Sequence, residues 1–399
     1  MILILMVTAI VFIIILGVLI FVHELGHFVT AIKNGIRAEE FGFGFPPRII
    51  GVQRYYRNNK TKKWRWIIGN KDGDSLEEFK DHQIKEMKKL SSGTIYSLNW
   101  IPLGGFVKIK GENGEKSDEP DSFMAKGPWI RIMVLVSGVL MNFILAWFLI
   151  SAVLMIGAPE PASSDNVNQP GSKILISQVA ADSPAETMGL KIGDEIAKSQ
   201  PNFVIDYLSD VKKYIESNKG REIELKIKRG NQIIYLKGTP RLESQPGEGD
   251  LGIGYDLIIN KKYLWYAAIW NGLRYVCNIT ILILVTFFGI LKNLLMGESV
   301  SVDVAGPVGI AVLTKQVTTL GLIYIIQFAA LLSINLGIIN LMPFPALDGG
   351  RILFILIEKI KGRPVSRKLE QSFHTVGFIV LIALMILITF HDVGKFIFK

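Results

Sequence analysis

Apolar residues along this chain gather into long blocks separated by polar stretches. Five blocks stand out: Met1–Val22, Ile130–Ile156, Tyr263–Leu295, Leu320–Met342 and Thr375–Phe390. About 20 consecutive apolar residues suffice for a helix to cross a bilayer, so each is a candidate span. Residues 33–129 are polar and carry strand signals. Gln53–Ile68 alternates basic with aromatic residues, as a hairpin would, and Ser97–Lys110 reads as a strand pair turned at Gly104-Gly105. Asp74–Leu90 is charged and predicts a helix. After a Pro/Ser/Asn linker at Ala158–Pro170, residues 171–243 predict a compact soluble domain. Its strands fall at Ile174–Val179, Glu222–Arg229 and Gln232–Lys237, and its helix at Asp206–Ser217.

The third block is ambiguous. Asn271, Arg274 and Asn278 fall on one helical stripe, so Tyr263–Leu295 either spans or lies in the interface as an amphipathic helix. Charge decides between these. Five of the eleven residues in Glu358–Lys368 are Lys or Arg, and the loop 33–129 is basic as well. Both lie on the cytoplasmic face only if the third block does not cross. The expected architecture is therefore a polytopic α-helical membrane protein with four spans. It carries an inserted extracytoplasmic α/β domain and a membrane-associated β element on the cytoplasmic side. The segments are 1–32, first span; 33–129, cytoplasmic-side β segment; 130–157, second span; and 158–262, linker and soluble domain. They continue as 263–319, interfacial helix and loop; 320–357, third span; 358–372, basic loop; and 373–399, fourth span and tail.

Composition narrows the function. Half of the 399 residues are hydrophobic, yet 44 are Lys or Arg and the net charge is +9. The positive charge flanks apolar blocks, which is an orientation signal, and no basic recognition helix argues for nucleic acid as a partner. The single cysteine, Cys277, excludes an intrachain disulfide and a cysteine-based zinc site. Met1–Val22 lacks a basic leader and a small-residue cleavage site, so it reads as a retained span.

The chemistry lies at His23-Glu24-Leu25-Gly26-His27. Histidines four apart share a helix face and can reach one metal ion, and Glu24 stands beside them to take a proton from the attacking water. Ionisable groups inside a span are costly and usually functional. A catalytic zinc takes three protein ligands. In the four-span topology the third candidate at the same depth is Asp348, in the stretch Asn340–Gly350. Pro343 and Pro345 break the helix beside it, and irregular backbone at membrane depth suits a protein-lined or wet cavity. In the second block Gly138 permits close helix approach. Asn142 reads equally as a donor to substrate or as an interhelical hydrogen bond. His82 reads as exposed, and His374 and His391 as interfacial residues, because none has a partner at ligand spacing.

Taken together, HELGH at 23–27, SLNWIPLGGFVKIKGE at 97–112, SGVLMN at 137–142, AGPVGIA at 305–311 and SINLGIINLMPFPALDGGRI at 333–352 resemble the site-2 proteases, intramembrane zinc metalloproteases. The nearest type looks like the bacterial enzymes that cleave anti-sigma factors. The resemblance implies Zn2+ held by His23, His27 and Asp348, with Glu24 as general base. It implies substrate contacts from Asn340, and a membrane-associated β-loop around Gly104 and Gly105 that receives substrate as an added strand. It also implies single-span membrane proteins as substrates and a multi-pass location in the bacterial cell membrane. Ala181–Ala185 with Gly189–Ile196 resemble a PDZ domain. After Ile196, however, the stretch Ala197–Pro201 replaces the usual strand and Asn-Gly turn, so a size filter is as good a reading as a peptide groove. A metal transporter and a non-catalytic scaffold are the alternatives, and an intact HELGH argues against the second.

Overall fold

The computed structural model describes residues 2–57, 61–69, 92–112, 114, 118–162, 164–230, 232–243, 249–297, 306–363 and 365–397. The helix expected at Asp74–Leu90, with His82, lies outside the described residues. The chain divides into two compact units, Met1–Ser151 with Ile269–Lys399, and Ala152–Ala268.

In the first unit, α1 (Ile2–Lys33) and α2 (Pro128–Ile156) are followed by α5 (Trp265–Leu295), α6 (Pro307–Leu320), α7 (Leu322–Leu341), α8 (Asp348–Lys361) and α9 (Arg367–Ile397). Five of these, α1, α2, α5, α7 and α9, are long and apolar enough to cross a membrane. The chain is thus a polytopic membrane protein with added sheet. The Leu320–Met342 block ends as a helix at Leu341, and Asp348 opens a separate helix after an irregular stretch. Pro343 and Pro345 lack the N–H that a continuous helix needs.

Strands β1 (Ala38–Arg57), β2 (Thr61–Ile68) and β3 (Ser92–Ile109) form one sheet in the order β2-β1-β3. The expected hairpin is there, with Gln53 opposite Arg65 and Ile50 opposite Ile68. The two halves of Ser97–Lys110, expected to pair with each other, instead flank the start of β1. Glu40 to Phe43 pair antiparallel with Lys108 to Gly105, while the same four residues also align with Ile95 to Leu98, both numbers rising together. Each long strand therefore folds back, β1 at Pro46-Pro47 and β3 between Ile101 and Gly105. Gly104 has φ +94°, and a Cβ there would sit 2.7 Å from Ile20 Cβ of α1, so only glycine fits the bend. This close approach seats the sheet on α1. Phe28 stacks on Phe41 at 4.6 Å, and Phe21 meets the same ring at 5.1 Å.

Beyond β3, Lys110 binds Asp121 at 2.5 Å and also Glu119, which closes the acidic loop onto the sheet. The Lys110 ammonium holds the Asp121 carboxyl below the usual carboxylate range.

The second unit is built on a six-stranded sheet. Its order is β4 (Ala158–Pro161), β9 (Ile253–Lys261), β5 (Ser172–Val179), β6 (Glu195–Ile196), β7 (Ile223–Arg229) and β8 (Gln232–Gly238). Two helices, α3 (Pro184–Met188) and α4 (Leu208–Ser217), cover it. Alternating residues supply the core: Ile174 and Ile176 from β5, and Ile223, Leu225 and Ile227 from β7. Ser183 caps α3, and the buried Asp194 accepts two hydrogen bonds from Arg229 at 2.7 Å. At the departure Ala197–Pro201, the Gln200 amide exchanges hydrogen bonds with the Lys226 backbone at 2.8 and 3.0 Å. A side chain there takes the place of a ladder pair.

Candidate metal centre

The site begins on α1. His23 and His27, one turn apart, are both buried, and their rings meet edge-to-face at 4.7 Å. The polar pair can lie inside because α1 and α2 cross in close contact. A Cβ on Gly26 would fall 2.3 Å from the Ser137 carbonyl oxygen, and one on Gly138 would fall 2.4 Å from His27 Nε2. The two glycines open the space that the imidazoles fill.

Each ring is held by a neighbour. His27 Nδ1–H donates to the Val134 carbonyl at 2.8 Å, which leaves the Nε2 lone pair free. The fully buried Asn142 side chain lies 3.2 Å from His23 Nδ1 through its amide nitrogen, while its Oδ1 has no partner. Turning the amide over, which changes no carbon position, lets Oδ1 accept Nδ1–H and frees His23 Nε2 as well. Asn142 is in turn tied to α7, where Ser333 Oγ–H donates to its carbonyl at 2.8 Å. Asp348 stands at the first position of α8. A Cβ on Gly349 would come within 2.2 Å of the Met342 carbonyl, so the helix starts tightly against the preceding loop.

The donor atoms converge. His23 Nε2 and His27 Nε2 lie 3.1 Å apart, and Asp348 Oδ2 lies 3.1 Å from the first and 3.3 Å from the second. Ligands at zinc–nitrogen and zinc–oxygen bond lengths of about 2.0–2.2 Å in a tetrahedron are about 3.3 Å from one another. The three atoms therefore fit one face of a zinc tetrahedron, with the fourth corner left over. Two imidazole lone pairs and a carboxylate pointing at one spot are a donor set for a cation. Among the described residues this is the group of such donors close enough to share a metal.

Glu24 is adjacent, and its Oε2 accepts the Val107 N–H of β3 at 3.1 Å. The bend at Gly104-Gly105 makes this possible, because a Cβ on Gly105 would meet Phe21 Cα at 3.3 Å. Asn340, at the end of α7, places its amide nitrogen 3.5 Å from His23 Nε2. The structure thus brings His23, Glu24, His27, Asn142, Asn340 and Asp348 together, with Gly104 and Gly105 at the adjoining strand. His374 is not among the converging donors. Its Nδ1 accepts the Ala346 N–H at 2.9 Å. Sequence reasoning did not find the contributions of Val107, Val134, Ser333 and His374. All four act by bonding to or through backbone, which leaves no residue pattern to read.

Comparison with known proteins agrees with this chemistry. The model of Peptidase family M50 matches residues 11–63 and 80–396. A Clostridium perfringens protein with zinc metalloprotease in its name is 34% identical over 94% of this chain and 95% of its own. The regulator of sigma-W protease RasP of Bacillus subtilis is 30% identical over 97% of this chain and 98% of its own. Zinc metalloprotease RasP of Geobacillus kaustophilus is 28% identical over 96% and 97%. With the matched model and these relatives running nearly end to end, the chain belongs to peptidase family M50, the site-2 proteases, and is a zinc metallopeptidase.

Proposed function

We propose that this enzyme hydrolyses peptide bonds within the membrane-spanning segments of single-span proteins, after those substrates have been trimmed on the outer side. The observation that carries this reading is the zinc-sized triangle of His23, His27 and Asp348 beside Glu24, on helices apolar enough to span. When bound, zinc lowers the pKa of water toward neutrality and polarises the scissile carbonyl. Glu24 takes the proton of the attacking water and delivers it to the leaving amine. Its Oε2 accepts the Val107 N–H, so the sheet helps to aim the carboxylate. Asn340 reaches toward the opening from α7, where an amide can bind a substrate carbonyl. Asn142 orients His23.

A helical substrate hides its peptide bonds and has to unwind. The second half of β3, from Gly104 to Ile109, lies at the end of the sheet next to Glu24 and suits strand addition. An apolar groove of about 320 Å³ lined by Phe21, Phe43, Val52, Tyr96 and Leu98 leads along the same sheet face.

Four spans fit best, with α5 in the interface. The C-terminal part of α1 and the end of α7 approach each other at His23 and Asn340, which supports both helices leaving the membrane on one side, together with the basic loop 358–368. Residues 171–243 then lie outside as a PDZ-like domain in a multi-pass protein of the bacterial cell membrane. The name of the Bacillus subtilis relative, a sigma-W regulator, points to anti-sigma factors as the substrate class.

The test is cleavage of a generic trimmed single-span substrate by purified wild type and Glu24→Gln, with zinc quantified in both. Zinc in both and at least a hundredfold faster cutting by wild type is the expected outcome. Zinc in both with equal cutting removes Glu24 from its role. A folded wild type without zinc overturns the reading.

A further inference from the structure

Asp348 follows a stretch that no regular structure supports. Between Leu341 and Asp348 the chain passes through Pro343 and Pro345, and Ala346 adopts φ +66°, a left-handed conformation that a residue with a Cβ disfavours. Its N–H cannot join a helix ladder. A protein acceptor satisfies it instead. That acceptor is His374 Nδ1, 2.9 Å away on α9.

The surroundings are shaped to this contact. One turn along α9, a Cβ on Gly377 would lie 1.9 Å from Pro345 Cβ, so the proline ring sits directly on the bare helix. Gly350, two residues after the ligand, would place a Cβ 3.4 Å from His374 Cε1. Phe354 and Phe373 fasten α8 to α9 with ring centroids 5.0 Å apart. Pro345, Ala346 and Gly350 therefore bracket Asp348 and all rest on the His374–Gly377 face.

We propose that His374 is a positioning residue for the metal centre: by accepting the Ala346 N–H it holds the left-handed turn that sets Asp348 at ligand distance from His23 and His27. Accepting at Nδ1 places the ring proton on Nε2. The ring is not one of the converging donors and acts through the loop. This rests on the zinc-peptidase reading.

The test uses full-length protein in detergent, with zinc affinity read by competition against a chromogenic chelator and with helicity and melting as fold controls. His374→Leu fills similar volume without an acceptor, and zinc should bind about 10–100-fold more weakly, the usual cost of losing a partner that orients a ligand. His374→Asn puts Oδ1 close to the Nδ1 position and should stay within about threefold of wild type on the same scale. Ala346→Gly removes the backbone strain, so adding it to His374→Leu should recover most of the lost affinity, a rescue that a general packing defect does not show. A His374→Leu protein that binds zinc as wild type does overturns the proposal. So does an Asn variant as damaged as the Leu variant. Should His374→Leu fail to fold, His374→Ser, too short to reach Ala346, takes its place against His374→Asn. Wild type without zinc overturns the metallopeptidase reading itself, whereas wild type with zinc and an indifferent His374→Leu overturns only this inference.

Discussion

Replacing Gly138 by alanine adds one methyl group, yet it should dismantle the metal site. The added carbon would lie 2.4 Å from His27 Nε2, 2.5 Å from its Cε1 and 2.9 Å from His23 Cε1. Non-bonded heavy atoms prefer about 3.5 Å or more, so the overlap with the coordinating nitrogen is about 1 Å. His27 cannot retreat freely, because Nδ1 is pinned to the Val134 carbonyl at 2.8 Å. Either the ring moves about 1 Å, twice the ~0.5 Å tolerance of a functional site, or α2 backs away from α1. The second route carries Asn142 off His23, since Asn142 and Gly138 are both on α2. Overpacking of this kind costs about 1–3 kcal/mol, which corresponds to roughly a fivefold to 150-fold loss of zinc affinity. The assay is zinc content after equilibration with a competing chelator, followed by cleavage at saturating zinc, with helicity as a control. Gly289→Ala and Gly394→Ala are matched controls, because nothing lies within 4 Å of a Cβ at either position. A Gly138→Ala protein that holds zinc and cleaves like the two controls would refute the reasoning that this glycine makes room for the imidazole.

Two more predictions concern the rest of the chain. Asp392, buried near the end of α9, accepts the Gly306 and Gly309 N–H groups at 2.9 and 2.7 Å and so caps α6; Asp392→Leu leaves both donors unpaired at about 1–3 kcal/mol each, and should melt well below Asp392→Asn, with equal melting refuting the cap. In the second unit, burial pushes the Tyr255 phenol up to about 12. Its folded pKa exceeds the unfolded value near 10, so the stability it contributes is complete below pH 10 and is lost as pH rises toward 12. Denaturation of the full chain at pH 9 and pH 11 should show a smaller alkaline loss for Tyr255→Phe than for wild type, and identical losses would remove Tyr255 from the account.

What the sequence made legible was what a local pattern encodes. His23 and His27 are four apart on one helix, and that spacing alone aims two imidazoles at one point. The alternation in Gln53–Ile68 marked a hairpin because pairing across a short turn is also local. The interleaving of β1 and β3 was not legible. Both halves of Ser97–Lys110 alternate as a hairpin would, and nothing in them says that the first half of β1 slots between. The choice is made at a distance, by Ile20 and Phe21 of α1, whose packing excludes any side chain at Gly104 and crowds Gly105. His374 was invisible for a related reason. A lone histidine without a partner at ligand spacing reads as interfacial, and its actual partner is a backbone N–H whose exposure depends on the φ of Ala346.

The same contrast shows how the site is built. Two ligands come from α1 and one from α8, and each is aimed by a different partner: His27 by the α2 backbone at Val134, His23 by Asn142 of the same helix, which α7 braces through Ser333, and Asp348 by a loop that leans on α9. Glu24, on the same turn as His23, is aimed by the sheet through Val107. No single element can shift without moving one donor relative to the others, and a zinc tetrahedron tolerates little such movement. Zinc affinity in this protein is therefore a measure of how well five helices and a strand are packed. Substitutions at residues that are not themselves ligands, such as Gly138 and His374, should be read first in metal binding and only afterwards in catalysis.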